Sequence, residues 1–244
     1  MSDLDRAAVL DALDAVYRNV TAVTGGLGEA DLMRPSRCAG WAVADVLYHE
    51  LLDARRALRT FASPADRPPD RDYVSYWTGY APGGAADHAE ESAAHARYVR
   101  IAAAAYPPGA LAWEWSETAA AAGRAGRACA HPAVTTQGHV LTVTDFAATL
   151  AVEAAVHYLD LTVALPGAPA PEPASLAPGA AGPRRAAWCP APGRLGRRHR
   201  RPQGDRPRAP HRGGPPGAGP LGRQVPPLRL THFLLIPELS EGAA

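Results

Sequence analysis

The sequence predicts an all-α fold: an antiparallel four-helix bundle over residues 1–170, followed by an irregular Pro/Gly/Arg-rich tail over 171–244. Three observations carry this. Apolar residues recur at three- and four-residue steps in several long stretches before residue 165. Pro and paired Gly fall mostly between those stretches. Beyond Pro166 the periodicity stops and Pro, Gly and Arg dominate.

The first helix should run from about Asp3 to Val23. Leu4, Val9, Leu13, Val16 and Val20 form its apolar face, and Gly25-Gly26 ends it. Pro35 and Gly40 bracket an ordered loop. A second helix follows from about Ala42 to Phe61, with Val43, Val46, Leu47, Glu50/Leu51 and Ala54 inward and His49 beside them. A loop at 64–69 leads into a Tyr/Trp-rich stretch, Tyr73 to Tyr80. A third helix spans about Ala85 to Ala105, and Pro107-Pro108 ends it. Trp113 and Trp115 then precede a short Ala-rich helix, about Glu117 to Ala128, and Val134 to Gly138 reads as a connector. Thr142 or Thr144 caps the fourth long helix, which runs to about Leu165.

The apolar fraction, 47%, is ample for a core. The net charge of +1 hides an asymmetry: residues 1–177 hold 13 Arg and 21 acidic residues, and residues 178–244 hold 12 Arg and 3 acidic residues. There is no Lys. Cys38, Cys129 and Cys189 form no Cys-x2-Cys pair, and the acidic start is unlike a secretory leader. No apolar run reaches the ~18 residues that span a bilayer. These features predict a soluble, cytoplasmic protein with no membrane partner.

The chemistry concentrates at Val152 to Asp160. Glu153 and His157 are four residues apart, so a helix places them on one face. A carboxylate and an imidazole on a mostly apolar helix either face water or share a partner, and a divalent metal suits both. Spacing alone favours an ordinary surface pair, because Glu-x3-His is common in Ala-rich helices. Glu91 and His95 repeat the spacing, but Asp87, Glu90, Ser92 and Arg97 around them predict a solvated face.

Two segments decide between these readings. Pro-Ser-Arg-Cys-Ala-Gly-Trp-Ala-Val-Ala-Asp-Val-Leu-Tyr-His at 35–49 and Val-Glu-Ala-Ala-Val-His-Tyr-Leu-Asp-Leu at 152–161 resemble the two signatures of the DinB-like, mycothiol-dependent maleylpyruvate isomerase superfamily. The resemblance covers roughly residues 1–170. It implies a metal held by His49, Glu153 and His157. Zn²⁺ suits two imidazoles and a carboxylate with an open position, as do Fe²⁺ and Ni²⁺. Asp160, one turn beyond His157, is a candidate outer partner for an imidazole. Trp41 is a pocket wall or, more simply, a packing aromatic. Ala42 stands where the resemblance leads one to expect a Ser/Thr cap.

The resemblance further implies mycothiol as cofactor, its thiolate activated by the metal and attacking a maleyl-type unsaturated acid or another electrophile. Isomerase and thiol S-transferase are the activities it implies. No Arg in 1–177 stands out as a substrate carboxylate clamp. The alternatives are a metal-dependent hydrolase on the same bundle, or a non-catalytic metal-binding protein inactivated by loss of its C-terminus. Such bundles also admit a homodimer.

Read literally, the tail is a basic chain with electrostatic affinity for nucleic acid. A shifted frame explains it better. Back-translating Pro202 to Thr231 in G/C-rich codons and moving one nucleotide permits a helical peptide ending Asp-Lys-Phe-Pro-Leu-Phe-Gly-stop. This reading places a frameshift around residues 175–185, leaves no role for any tail residue, and removes nucleic acid as a partner. Resequencing the locus is expected to reveal a slipped base there; an intact frame refutes the reading.

Overall fold

The computed structural model describes residues 4–80, 86–107 and 109–171. These fall within the first of two compact units, Met1–Gly196. The tail beyond Pro171, where the frameshift is expected, lies outside the described residues.

Helix α1 is Arg6–Thr24, one turn shorter at its start than the periodicity predicts, because the Asp5 side chain accepts from the Ala8 N–H and caps it there. A short α2, Glu29–Leu32, precedes α3, Val43–Phe61. Ala42 has no side-chain oxygen to cap α3. Asp45 supplies the other half of the device, its carboxylate accepting from the Ala42 N–H at 2.8 Å. The Tyr/Trp-rich stretch forms a 3₁₀ turn, Ser75–Tyr80, and α4 is Ala86–Ala104.

The next helix, α5, is Ala110–Ala128. It is a full-length helix, where the sequence predicts a short one. Gly109 turns the chain at φ 78°, and nothing between Ala110 and Ala122 breaks a helix, so Trp113 and Trp115 lie inside it. Trp113 faces out. Trp115 is fully buried, edge-on to Tyr17, and donates its indole N–H to Thr21 Oγ1 at 3.0 Å.

The expected connector is a β-hairpin. Strand β1, Ala133–Thr136, pairs antiparallel with β2, His139–Thr142. Gln137 and Gly138 both have positive φ, 47° and 79°, the conformation a two-residue I′ turn requires. Strand β2 runs straight into α6, Val143–Thr162. Thr142 caps α6 by accepting from the Asp145 N–H at 2.9 Å.

The described residues are thus mainly helical, with one two-stranded sheet. Helix α1 packs on α5 and α6, while α3 packs on α4, α5 and α6. Among the described residues, no helix is long and apolar enough to cross a membrane. Helix α5 approaches its neighbours closely through glycine. A Cβ on Gly126 would lie 3.0 Å from both Leu10 and Phe61. Gly126→Leu is expected to cost about 1–3 kcal/mol by overpacking, read as a lower urea midpoint with native helicity retained.

Candidate metal centre

Helices α3 and α6 build the centre. They run antiparallel: the Arg37 N–H, just before α3, donates to the Asp160 carbonyl near the end of α6, while Phe61 at the end of α3 meets Phe146 at the start of α6. Helical periodicity places His49, Asp53 and Arg56 on one face of α3, and Glu153, His157 and Asp160 on one face of α6. The two faces meet. Donor atoms of His49, Glu153 and His157 all lie within 4.8 Å of one another. The three residues are 3%, 7% and 2% exposed, so these side chains face one another rather than water. His49 Nε2 is 3.4 Å from Glu153 Oε1, and the His49 and His157 rings meet edge to face at 4.9 Å.

The surroundings are strongly acidic. Glu50, Asp53, Glu153 and Asp160 crowd the same region of the core. Burial, then the Asp53 charge, pushes the Glu153 carboxyl well above its ordinary range. Burial, then Asp53 and Glu153, does the same to Glu50, whose Oε1 has no hydrogen-bond partner among the described residues. Burial also opposes ionisation of Asp53, but Arg56 and His49 outweigh it and hold that carboxyl below the usual range. Asp53 and Glu153 share a hydrogen bond and pull in opposite directions, Asp53 held down and Glu153 pushed up. Tyr17, from α1, is pushed up by burial and then by the Glu50 and Asp53 charges.

Arg56 supplies positive charge. Its guanidinium donates to both Asp53 oxygens, at 2.9 and 3.2 Å, and lies 3.7 Å from Glu153 Oε2. It also donates to the Tyr76 hydroxyl at 3.3 Å and to Gln137 Oε1 at 3.4 Å. The Tyr76 hydroxyl donates to the same Gln137 oxygen. The 3₁₀ turn and the hairpin tip therefore hold the cation that faces Glu153.

Further out, Asp160 Oδ2 lies 3.3 Å from His157 Nδ1, too poorly aligned for a hydrogen bond in this arrangement, and 3.5 Å from Cys38 Sγ. Cys38, His157 and Asp160 make a second close group that shares His157 with the first. Trp41 is buried and meets the His49 ring edge-on at 5.6 Å, so it walls the centre as well as packing the helix.

His95 corrects the sequence reading. It does not sit on a solvated face: its Nε2 is 3.3 Å from His49 Nδ1, and its ring lies against both His49 and Trp41. Burial, then neighbouring His49, lowers its pKa to about 4. The side chains of His88 and Glu91 lie outside the described residues. Sequence reasoning also missed Asp53 and Arg56. The signal was present for Asp53, because His49 and Asp53 have the four-residue spacing of Glu153 and His157.

The donor set fits a divalent cation. Two imidazoles and a carboxylate converge, and Glu50, Asp53, Glu153 and Asp160 share a largely dry region with the Arg56 cation. A family model described as the mycothiol maleylpyruvate isomerase N-terminal domain matches residues 13–162. The chain belongs to that family. The matched span takes in α3 and α6 entire, and so His49, Glu153 and His157. No curated protein and no solved structure matches the chain.

The raised carboxyls set a pH dependence for the metal-free protein. Glu50 and Glu153 keep their protons in the fold, whereas the unfolded chain releases them above about pH 4.3. The native state then binds more protons, and stability falls as pH rises through the folded values. Asp53 has the opposite sign, its contribution being lost only below about pH 3.9. His49 and His95, whose imidazoles burial holds below the ordinary range, add stability as pH rises towards about 6.5 and nothing beyond about 7. Above the range in which His49 and His95 titrate, the falling slope belongs to the carboxyls that burial pushes up, Glu50 and Glu153. In chelator, Glu50→Gln is expected to flatten the fall in urea midpoint over that window; an unchanged slope means Glu50 is ionised in the fold.

Proposed function

We propose that residues 1–170 are a DinB-like metal-binding bundle of a mycothiol-dependent enzyme, of the maleylpyruvate isomerase or thiol S-transferase kind. His49, Glu153 and His157 are its metal ligands and Zn²⁺ its metal. The bundle helices on this reading are α1, α3, α5 and α6, with α5 in the place that periodicity gives to α4. The observation that carries the proposal is the convergence of those three donors within 4.8 Å inside an acidic core.

A bound zinc supplies Lewis acidity, which lowers the pKa of a coordinated thiol and keeps the sulfur a ready nucleophile near neutral pH. The chain's own residues prepare the place for it. Arg56 and Asp53 hold Glu153 on the side opposite His49. Trp41 and the packed faces of α3 and α6 keep water away from the imidazoles. The family description supports the thiol cofactor, and a reducing cytoplasm is where such a thiol persists. The substrate on this reading is a small electrophile or an unsaturated acid.

Elemental analysis of the purified protein tests the centre. About one zinc per chain is expected from a three-ligand site, with loss of that metal in His157→Ala. A folded parent that takes up no divalent metal overturns the proposal. Zinc-loaded protein is further expected to consume mycothiol when given an electrophile, and His157→Ala is not.

A further inference from the structure

The imidazole of His49 is engaged at both of its nitrogens. Nε2 faces Glu153 Oε1 across the centre, at 3.4 Å. Nδ1 faces the other way, 3.3 Å from Nε2 of His95 on α4. The two rings lie nearly perpendicular, 78° apart with centroids at 5.5 Å, as an in-plane N–H directed at a neighbouring ring nitrogen allows. Trp41 touches both, with its ring 5.6 Å from His49 and 6.4 Å from His95. Helix α4 packs on α3, and Ala96 and Val99, one and four residues after His95, are buried in the core.

A neutral imidazole carries one N–H and one bare nitrogen, and which nitrogen is bare depends on the hydrogen bond made by the other. A ligand histidine must turn its bare nitrogen to the metal. Residues that accept from its outer N–H are usually carboxylates or carbonyls, and they raise metal affinity by fixing the ring. At His49 the outer neighbour is another imidazole.

We propose that His95 is a positioning residue for His49: its Nε2 accepts from the His49 Nδ1–H and thereby fixes the tautomer whose bare Nε2 faces the centre. His95 then touches neither metal nor substrate and acts only through His49. Its importance for metal binding rests on the metal reading above, but the tautomer exists with or without metal.

The test begins with metal-free protein. Nitrogen NMR of the His49 ring at neutral pH is expected to show Nδ1 protonated and Nε2 bare. A proton on Nε2 in the parent overturns the proposal, and this measurement needs no variant. His95→Phe keeps ring volume against Trp41 and removes the acceptor, while His95→Gln offers a carbonyl oxygen in its place. In His95→Phe the His49 signal is expected to become a tautomer mixture, with circular dichroism and thermal unfolding near those of the parent. Zinc affinity, by competition with a chromophoric chelator, is expected to fall about 10–100-fold in His95→Phe and to recover largely in His95→Gln. An unchanged tautomer in His95→Phe, or equal affinity losses in the two variants, shows that His95 only packs. If the parent binds no zinc, the metal reading fails alone, and the tautomer comparison still decides the role of His95.

Discussion

The centre depends on the Arg56 guanidinium. An isolated buried ion costs several kcal/mol even after relaxation, and this core gathers Glu50, Asp53, Glu153 and Asp160 around a few imidazoles. Arg56 favours the ionised form of one of those acids, Asp53, and the Asp53 charge in turn pushes the Glu153 carboxyl up. A divalent cation held there would favour the ionised form of Glu153 and take the place of its proton. Two elements with no ligand of their own therefore belong to the site. The 3₁₀ turn gives Tyr76 and the hairpin gives Gln137, and both orient the guanidinium.

How much of this was legible in the sequence follows from where each residue sits. His49, Glu153 and His157 lie on long helices of regular period, so spacing shows their shared faces and a family resemblance supplies the pairing. Asp160 is one turn beyond His157 on the same helix and was equally readable. His95 was not, because its neighbours in sequence are polar while its neighbour in space is His49, 46 residues earlier. Local composition gives a solvated face, and only the packing of α4 on α3 reverses it. Arg56 was hidden for a related reason. A cation searched for as a substrate clamp is instead consumed by the acids beneath the centre.

The errors of element assignment have physical causes too. Helix α5 was read short because two tryptophans seemed to belong to a loop, yet one is a core anchor and the other is tolerated on the surface of the same helix. The hairpin was missed because its turn uses Gln137 in a left-handed conformation, where Asn or Gly is the usual signal. That choice places at the tip a side chain long enough to reach Arg56. Asp45 replaces half of the cap that Ala42 lacks.

The distance along the chain between the partners has a kinetic meaning. His49 and Glu153 are separated by 104 residues. Closing so long a loop has an entropic cost that the docked helices must repay. On the proposed metal reading, an ion would find its ligands together only where α3 is docked on α6. Where that docking is absent from the folding transition state, the ion would stabilise the native state alone. Stabilisation of that kind slows unfolding rather than speeding folding. The bound ion would act as a latch on the finished core, and the lifetime of the folded chain would be set by how tightly that latch is held.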